Sequence, residues 1–392
     1  MSHLYRSAIH AKVAKLPAMP PPQIGSVEEE DEENEAADGL GSLPSSLGSG
    51  SRSGSTSVRR QHHQHPPNPA YSPVSASSYF EHAIQVSVPP SNLDVRVYYT
   101  APKTGDGAVM VCHHGAGYSG LSFACLAREV GLLSRGECGV LAIDCRGHGK
   151  TTRISDDDDN GAEIETEDLA IGILTDDLVN LISTVYPDPN SAPSLLLVGH
   201  SLGGSVSVRA CPLLQERKYR ITGVGVLDVV EEFTLEALPM MHSLLDARPD
   251  GFNSPEEAVE WHVMTHAIRN VESARVSIPG IIIPNPDPSS GPAYLWRTPL
   301  RLTAPYWSSW FTGLSSKFLL TRTARLLVLA GAERLDKELM IGQMQGKFQL
   351  VVLANVGHMV HEDDPGRLAE VLVEFWRRNE RVVIGVKKVG EL

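Results

Sequence analysis

The residues of this chain best suited to chemistry are Gly199-His200-Ser201-Leu202-Gly203. A serine hydroxyl attacks carbonyl carbon only when a base takes its proton and the backbone presents it free of neighbours. The flanks meet the second condition. Leu195-Leu196-Leu197-Val198 is a short continuous apolar run, the pattern of a strand buried on both faces, and Gly204-Ser205-Val206-Ser207-Val208 is small enough for a helix packed close to it. A G-x-S-x-G between strand and helix predicts a sharp, strained turn that lifts the serine out and aims backbone N–H groups at a developing oxyanion.

A base and its orienting acid should follow. His358, in Val356-Gly357-His358 just past the apolar run Phe348–Leu353, is the candidate base; His361 competes but lies further from the glycine and the strand. Two residues fit the acid. Asp336 follows the run Arg325–Ala330, where generic hydrolase topology puts it, whereas Asp228 ends the apolar run Gly223–Asp228, where a charge needs a reason. The residues alone leave both open. The oxyanion hole should use the backbone N–H of Leu202 and a second donor from His114-Gly115-Ala116-Gly117, at Ala116 or Gly117. Arg146-Gly147-His148-Gly149 reads as a brace for neighbouring loops.

The elements that must hold these groups alternate. A hairpin is expected over His82–Val88 and Val95–Thr100, strands at Ala108–Cys112 and Gly139–Asp144, and helices at Phe123–Leu133, Thr166–Val185 and Pro365–Arg378. Alternation of this kind makes an α/β protein with a mostly parallel central sheet and helices on both faces, the alpha/beta-hydrolase fold. The strand signal stops between Glu231 and Trp310, which predicts a helical lid insertion at about 231–315. Ser254 with Glu257 predicts a capped helix start there, and Pro279–Pro299 a proline-punctuated loop. Residues 1–74, rich in Pro, Ser, Gly and acid, predict a disordered tail, which leaves 75–392 as the hydrolase domain.

Composition narrows the partners. The chain has 392 residues and a net charge of −13, which disfavours nucleic acid and anionic membrane surfaces; the basic Arg59-Arg60 cluster is local. Five cysteines scattered through core-like runs, with no apolar leader over Met1–Lys15, predict reduced thiols and a cytoplasmic or nuclear location. Asp156–Asp159 reads as a solvated loop, since consecutive aspartates do not converge easily on one ion, and without a zinc, P-loop or dinucleotide spacing no cofactor or metal is expected.

From about Tyr71 to Asn379 the chain resembles the protein phosphatase methylesterases. The resemblance rests on Gly199–Gly204, Asp228-Val229-Val230-Glu231, Ala258–Trp261, Ile268–Ser277, Tyr306–Leu314, Arg334–Lys337, Ile341–Phe348 and Gly357–Asp363. The Arg269–Ser277 and Gly342–Phe348 blocks are the most specific, because no generic need of the fold asks for them. The resemblance implies a serine carboxylesterase that removes the methyl ester from the C-terminal leucine of the protein phosphatase 2A catalytic subunit, releasing methanol. It also implies Ser201, Asp228 and His358 as the triad, with Asp336 a neighbour. The family often carries glycine where Ala116 stands. The readings set against it are a broad-specificity small-ester carboxylesterase and a phosphatase-binding inhibitor with a non-catalytic role.

Overall fold

The computed structural model describes residues 66–105, 107–154, 167–287, 289, 291–332 and 334–380. Residues 1–65 of the expected tail, the Arg59-Arg60 cluster and the Asp156–Asp159 loop lie outside the described residues. Residues 66–74, expected in the tail, are instead seated on the rest of the chain. Val74 N–H donates to Arg275 O at 3.0 Å, and Arg275 Nε to Ser72 O at 2.6 Å.

The hairpin comes first, with β1 at His82–Val88 and β2 at Leu93–Thr100 paired antiparallel. Then come β3 (Ala108–His113), α1 (Ala124–Leu133), β4 (Cys138–Ile143) and the short β5 (Thr152–Arg153). They are followed by α2 (Ile171–Val185), β6 (Ser194–His200), α3 (Leu202–Glu216) and β7 (Ile221–Leu227). The sheet resumes at β11 (Ala324–Ala330) and β12 (Gln349–Leu353), after the intervening elements named below. Strand order across the sheet is β1-β2-β4-β3-β6-β7-β11-β12, with β5 beside β2, and the run from β4 to β12 is parallel. Parallel strands need crossovers, and helices supply them. Every residue of β3, β4, β6 and β7 is buried, as continuous apolar runs require when both faces are covered.

Between β7 and β11 stand α4 (Glu231–Ala247), β8 (Gly251–Phe252), α5 (Pro255–Met264), α6 (Val271–Ser277), β9 (Ile282–Pro284), β10 (Tyr294–Trp296), α7 (Trp307–Phe311) and α8 (Leu314–Leu320). The segment is not strand-free. β8, β10 and β9 form a small antiparallel sheet, and two of its strands, β9 and β10, lie in the stretch expected as loop. Two- and three-residue strands flanked by prolines carry no periodicity to detect. Ser254 does cap α5, taking the Glu257 N–H at 3.2 Å, and the Glu257 carboxylate reaches back to the Asn253 N–H. Past β11 lie α9 (Lys337–Met344), α10 (Val360–Asp363) and α11 (Pro365–Glu380). α11 buries Leu368, Leu372 and Phe375, the stripe its spacing predicts.

Register brings three strand ends level. His113 pairs beside Gly199, and His200 beside Leu227. Ser201 N–H then donates to Leu227 O at 3.0 Å and Asp228 N–H to Val328 O at 2.7 Å. His114, Ser201 and Asp228 therefore leave the sheet along one edge.

Among the described residues six histidines are buried: His113, His114, His148, His200, His262 and His361. Burial pushes His113 and His148 down to about 4, and His262 and His361 down to about 3. His114 and His200 are also held well below the ordinary value, first by burial and then by neighbouring imidazoles. The folded chain thus refuses protons that unfolded imidazoles accept below about pH 6.5. Buried Asp144, raised to about 6, and Glu362 and Asp363, also raised by burial, act with the opposite sign but are fewer. Stability is expected to fall as pH drops from 6.5 towards 4.5, by about 1.4 kcal/mol per pH unit for each net proton taken up on unfolding. Denaturant melts across that range measure it; a midpoint that does not move contradicts it.

Candidate active site

Ser201 occupies the turn from β6 into α3 with φ +50° and ψ −118°, a conformation that residues with a Cβ rarely adopt. Close packing holds it there. A Cβ on Gly199 would lie 2.1 Å from Gly203 O, and one on Gly203 would lie 2.1 Å from His113 O. Only glycine at both places lets helix, strand and the preceding β3 end meet. The Ser201 side chain is partly exposed and, among the described residues, makes no hydrogen bond, so its hydroxyl is free toward the cleft. Nucleophile–base bonds are often long in the free state and tighten with substrate.

His358 and Asp228 are joined, with Nδ1 2.8 Å from Oδ2. The other Asp228 oxygen accepts the Ala330 N–H at 2.8 Å, and the residue itself sits at φ +50°. An Nδ1–H bound to that carboxylate leaves Nε2 as the basic nitrogen, the tautomer a general base needs.

The competitors are engaged elsewhere. Asp336 caps α9, accepting the Leu339 N–H at 2.9 Å, and its second oxygen accepts the Ser315 hydroxyl. His361 is fully buried, stacked on Phe123 at 4.5 Å and beside His200 at 4.6 Å. Neither has a face open to substrate.

The oxyanion loop corrects one expectation. Tyr118 N–H donates to Gly115 O at 3.2 Å, closing a turn whose third residue, Gly117, has φ +81°. The Gly117 N–H donates to His148 Nε2 at 2.9 Å, while His148 Nδ1 lies 2.9 Å from Arg146 O. That amide is committed and leaves the oxyanion set. Gly117 serves instead as the turn's positive-φ residue, against which Leu300 packs: a Cβ there would meet Leu300 Cδ1 at 2.7 Å. The candidate donors that remain are the N–H groups of Leu202, at the start of α3, and Ala116. Gly115 brings this loop against Ser201, since a Cβ on it would lie 3.3 Å from the Ser201 Cβ.

Braces fix the loop from below. His114 Nδ1 lies 2.7 Å from Gly115 O, and its Nε2 accepts the Cys145 N–H at 3.0 Å. Asp144 accepts the N–H groups of Gly120 and Lys150, both at 2.7 Å. Arg146 grips Asp177 through Nε and Nη2, at 2.7 and 2.8 Å. His148 in the Arg146–Gly149 stretch thus has a definite task that spacing could not reveal, because its partner lies 31 residues away. His200 was also unassigned by sequence; its Nε2 lies 2.9 Å from His358 O and supports the base from beneath. Among the described residues no group of His, Cys, Asp or Glu could hold a metal ion, and no helix is long and apolar enough to cross a membrane.

With this geometry in hand, comparisons with known proteins agree. The Alpha/beta hydrolase family profile matches residues 110–371. "Protein phosphatase methylesterase 1" of Cryptococcus neoformans var. neoformans serotype D (strain JEC21) is 44% identical, over 100% of this chain and 96% of that protein. The protein of the same name from Saccharomyces cerevisiae is 38% identical over 91% of this chain and 90% of its own. Among solved structures, E-2-(acetamidomethylene)succinate hydrolase aligns over 75% of this chain and 99% of its own, with a TM-score of 0.55 at 18% identity, a likeness of fold alone. The chain belongs to the alpha/beta hydrolase family and, within it, to the protein phosphatase methylesterases, which are carboxylic ester hydrolases.

Proposed function

We propose that this chain hydrolyses the methyl ester of the C-terminal leucine of the protein phosphatase 2A catalytic subunit, with Ser201, His358 and Asp228 as its triad. The observation that carries the reading is the His358–Asp228 pair at 2.8 Å beside a serine strained out of its elbow. The substrate is taken from the name of the relatives matched over the full chain.

Ser201 Oγ attacks the ester carbonyl as His358 Nε2 takes its proton, and Asp228 stabilises the imidazolium through Nδ1–H. The tetrahedral oxyanion receives the N–H groups of Leu202 and Ala116, each worth about 3 to 4 kcal/mol of barrier. His358 returns the proton to the departing methoxide, releasing methanol. Water, deprotonated by the same nitrogen, then cleaves the acyl-enzyme. No cofactor is called for. The stretch 231–315 acts as a lid, with Leu300 packed on the oxyanion turn.

Ser201→Ala is expected to cut methanol release from carboxymethylated phosphatase by about 10⁴-fold or more while leaving binding intact, as release assays and pull-downs would read. Undiminished turnover sinks the mechanism. Asp228→Asn should cost about 10⁴ in kcat. Asp336→Ala should cost about 1 kcal/mol of stability through the α9 cap and change kcat only a few-fold; the reverse pattern would overturn the assignment. A small acetate ester should be turned over with far lower kcat/KM than the methylated phosphatase. Preference for the small ester would favour a general carboxylesterase instead.

A further inference from the structure

The Arg269–Ser277 block contributes nothing to the triad, yet it seats the loop that carries His358. Ser273 Oγ donates to Glu362 O at 2.8 Å, and Ser277 Oγ to Glu362 Oε2 at 2.6 Å. The Arg269 N–H donates to Asp363 Oδ1 at 2.7 Å. The second Asp363 oxygen, Oδ2, accepts the Gly357 N–H, also at 2.7 Å. The side chain that makes these bonds is only 1% exposed, with Arg269 Nε 3.9 Å from it. One buried carboxylate therefore ties the peptide unit entering Gly357, one residue before His358, to the segment between β7 and β11, and nothing in the folding of the central sheet demands that tie.

We infer that Asp363 is a positioning residue for the reaction: it fixes the Gly357–His358 backbone so that the imidazole keeps Nδ1 on Asp228, and its negative charge favours the imidazolium formed as Ser201 attacks. The inference rests on His358 being the base. The groups around His358 are Asp228 at the tip of β7, His200 at the end of β6 and His361 on α10 and, against the preceding Gly357, Asp363 on α10 and Arg269 before α6. His200 and His361 are kept neutral by burial, so the charged groups near the base are the two carboxylates and the Arg269 guanidinium, which Asp363 offsets. Asp363 itself feels His358 as a favourable positive neighbour, which is the same coupling read from its other end.

Asp363→Asn keeps the shape, removes the charge and turns one acceptor into a donor. With the full chain and carboxymethylated phosphatase, kcat should fall about tenfold or more, with KM within about twofold. The acid limb of the kcat/KM profile should move to lower pH by about half a unit. Rates are referred to active sites titrated with a fluorophosphonate. A limb that stays in place, with loss no greater than the loss of titratable sites, means a purely structural clamp and overturns the inference. Should the variant not fold, amide hydrogen exchange on the unaltered protein decides: the Gly357 amide should be strongly protected, and exchange at the rate of an open loop contradicts the inference. Failure of the underlying reading looks different, since Ser201→Ala would then retain turnover.

Discussion

Everything at this site depends on how closely three backbones meet at the end of β6. Gly199, Gly203 and the carbonyl of His113 approach within distances that no Cβ tolerates, and the chain between them has one way to turn. That turn puts Ser201 at positive φ and starts α3 directly behind it, with Leu202 as the first residue of the helix. The strain is sustained because both flanks are fully buried: β6 is covered along its whole length, and α3 buries its first seven residues. A strained serine on a floppy support would relax; here the sheet over-determines it.

Around this point the polar groups are arranged for fixity rather than charge. Asp228 sits at its own positive φ, with both carboxylate oxygens bound. Beneath it, His114 and His148 spend both ring nitrogens on backbone groups of the loops they support, and His200 spends Nε2 on His358 O. Burial keeps these imidazoles neutral, so they can act as acceptor or donor with a settled tautomer and add no competing charge next to the base. The cost is acid sensitivity, and it falls on the same groups that order the site.

Much of this was legible in the residues. The strands declared themselves as continuous apolar runs, and their alternation with helices implied the parallel sheet. Ser201 and His358 stood out because glycines and strand ends flank them. The acid did not: Asp228 and Asp336 both follow strands, and what separates them is tertiary, a helix cap on one side and an imidazole on the other. A local hint existed, since Asp336 precedes Lys337-Glu338-Leu339 as an N-cap would. The oxyanion donors were half legible, because spacing marks the loop but not that a histidine far along the chain occupies the Gly117 amide. The β8–β10 sheet was invisible for want of length, and the seating of residues 66–74 because composition reports no partner.

The central claim is that the elbow serine is a nucleophile activated by His358. Incubating the intact protein with a fluorophosphonate and mapping the adduct by peptide mass spectrometry tests it most directly. The account predicts a single phosphonyl group on Ser201, lost in the His358→Ala variant. Modification of another residue, or an adduct on Ser201 that forms equally fast without His358, would contradict it.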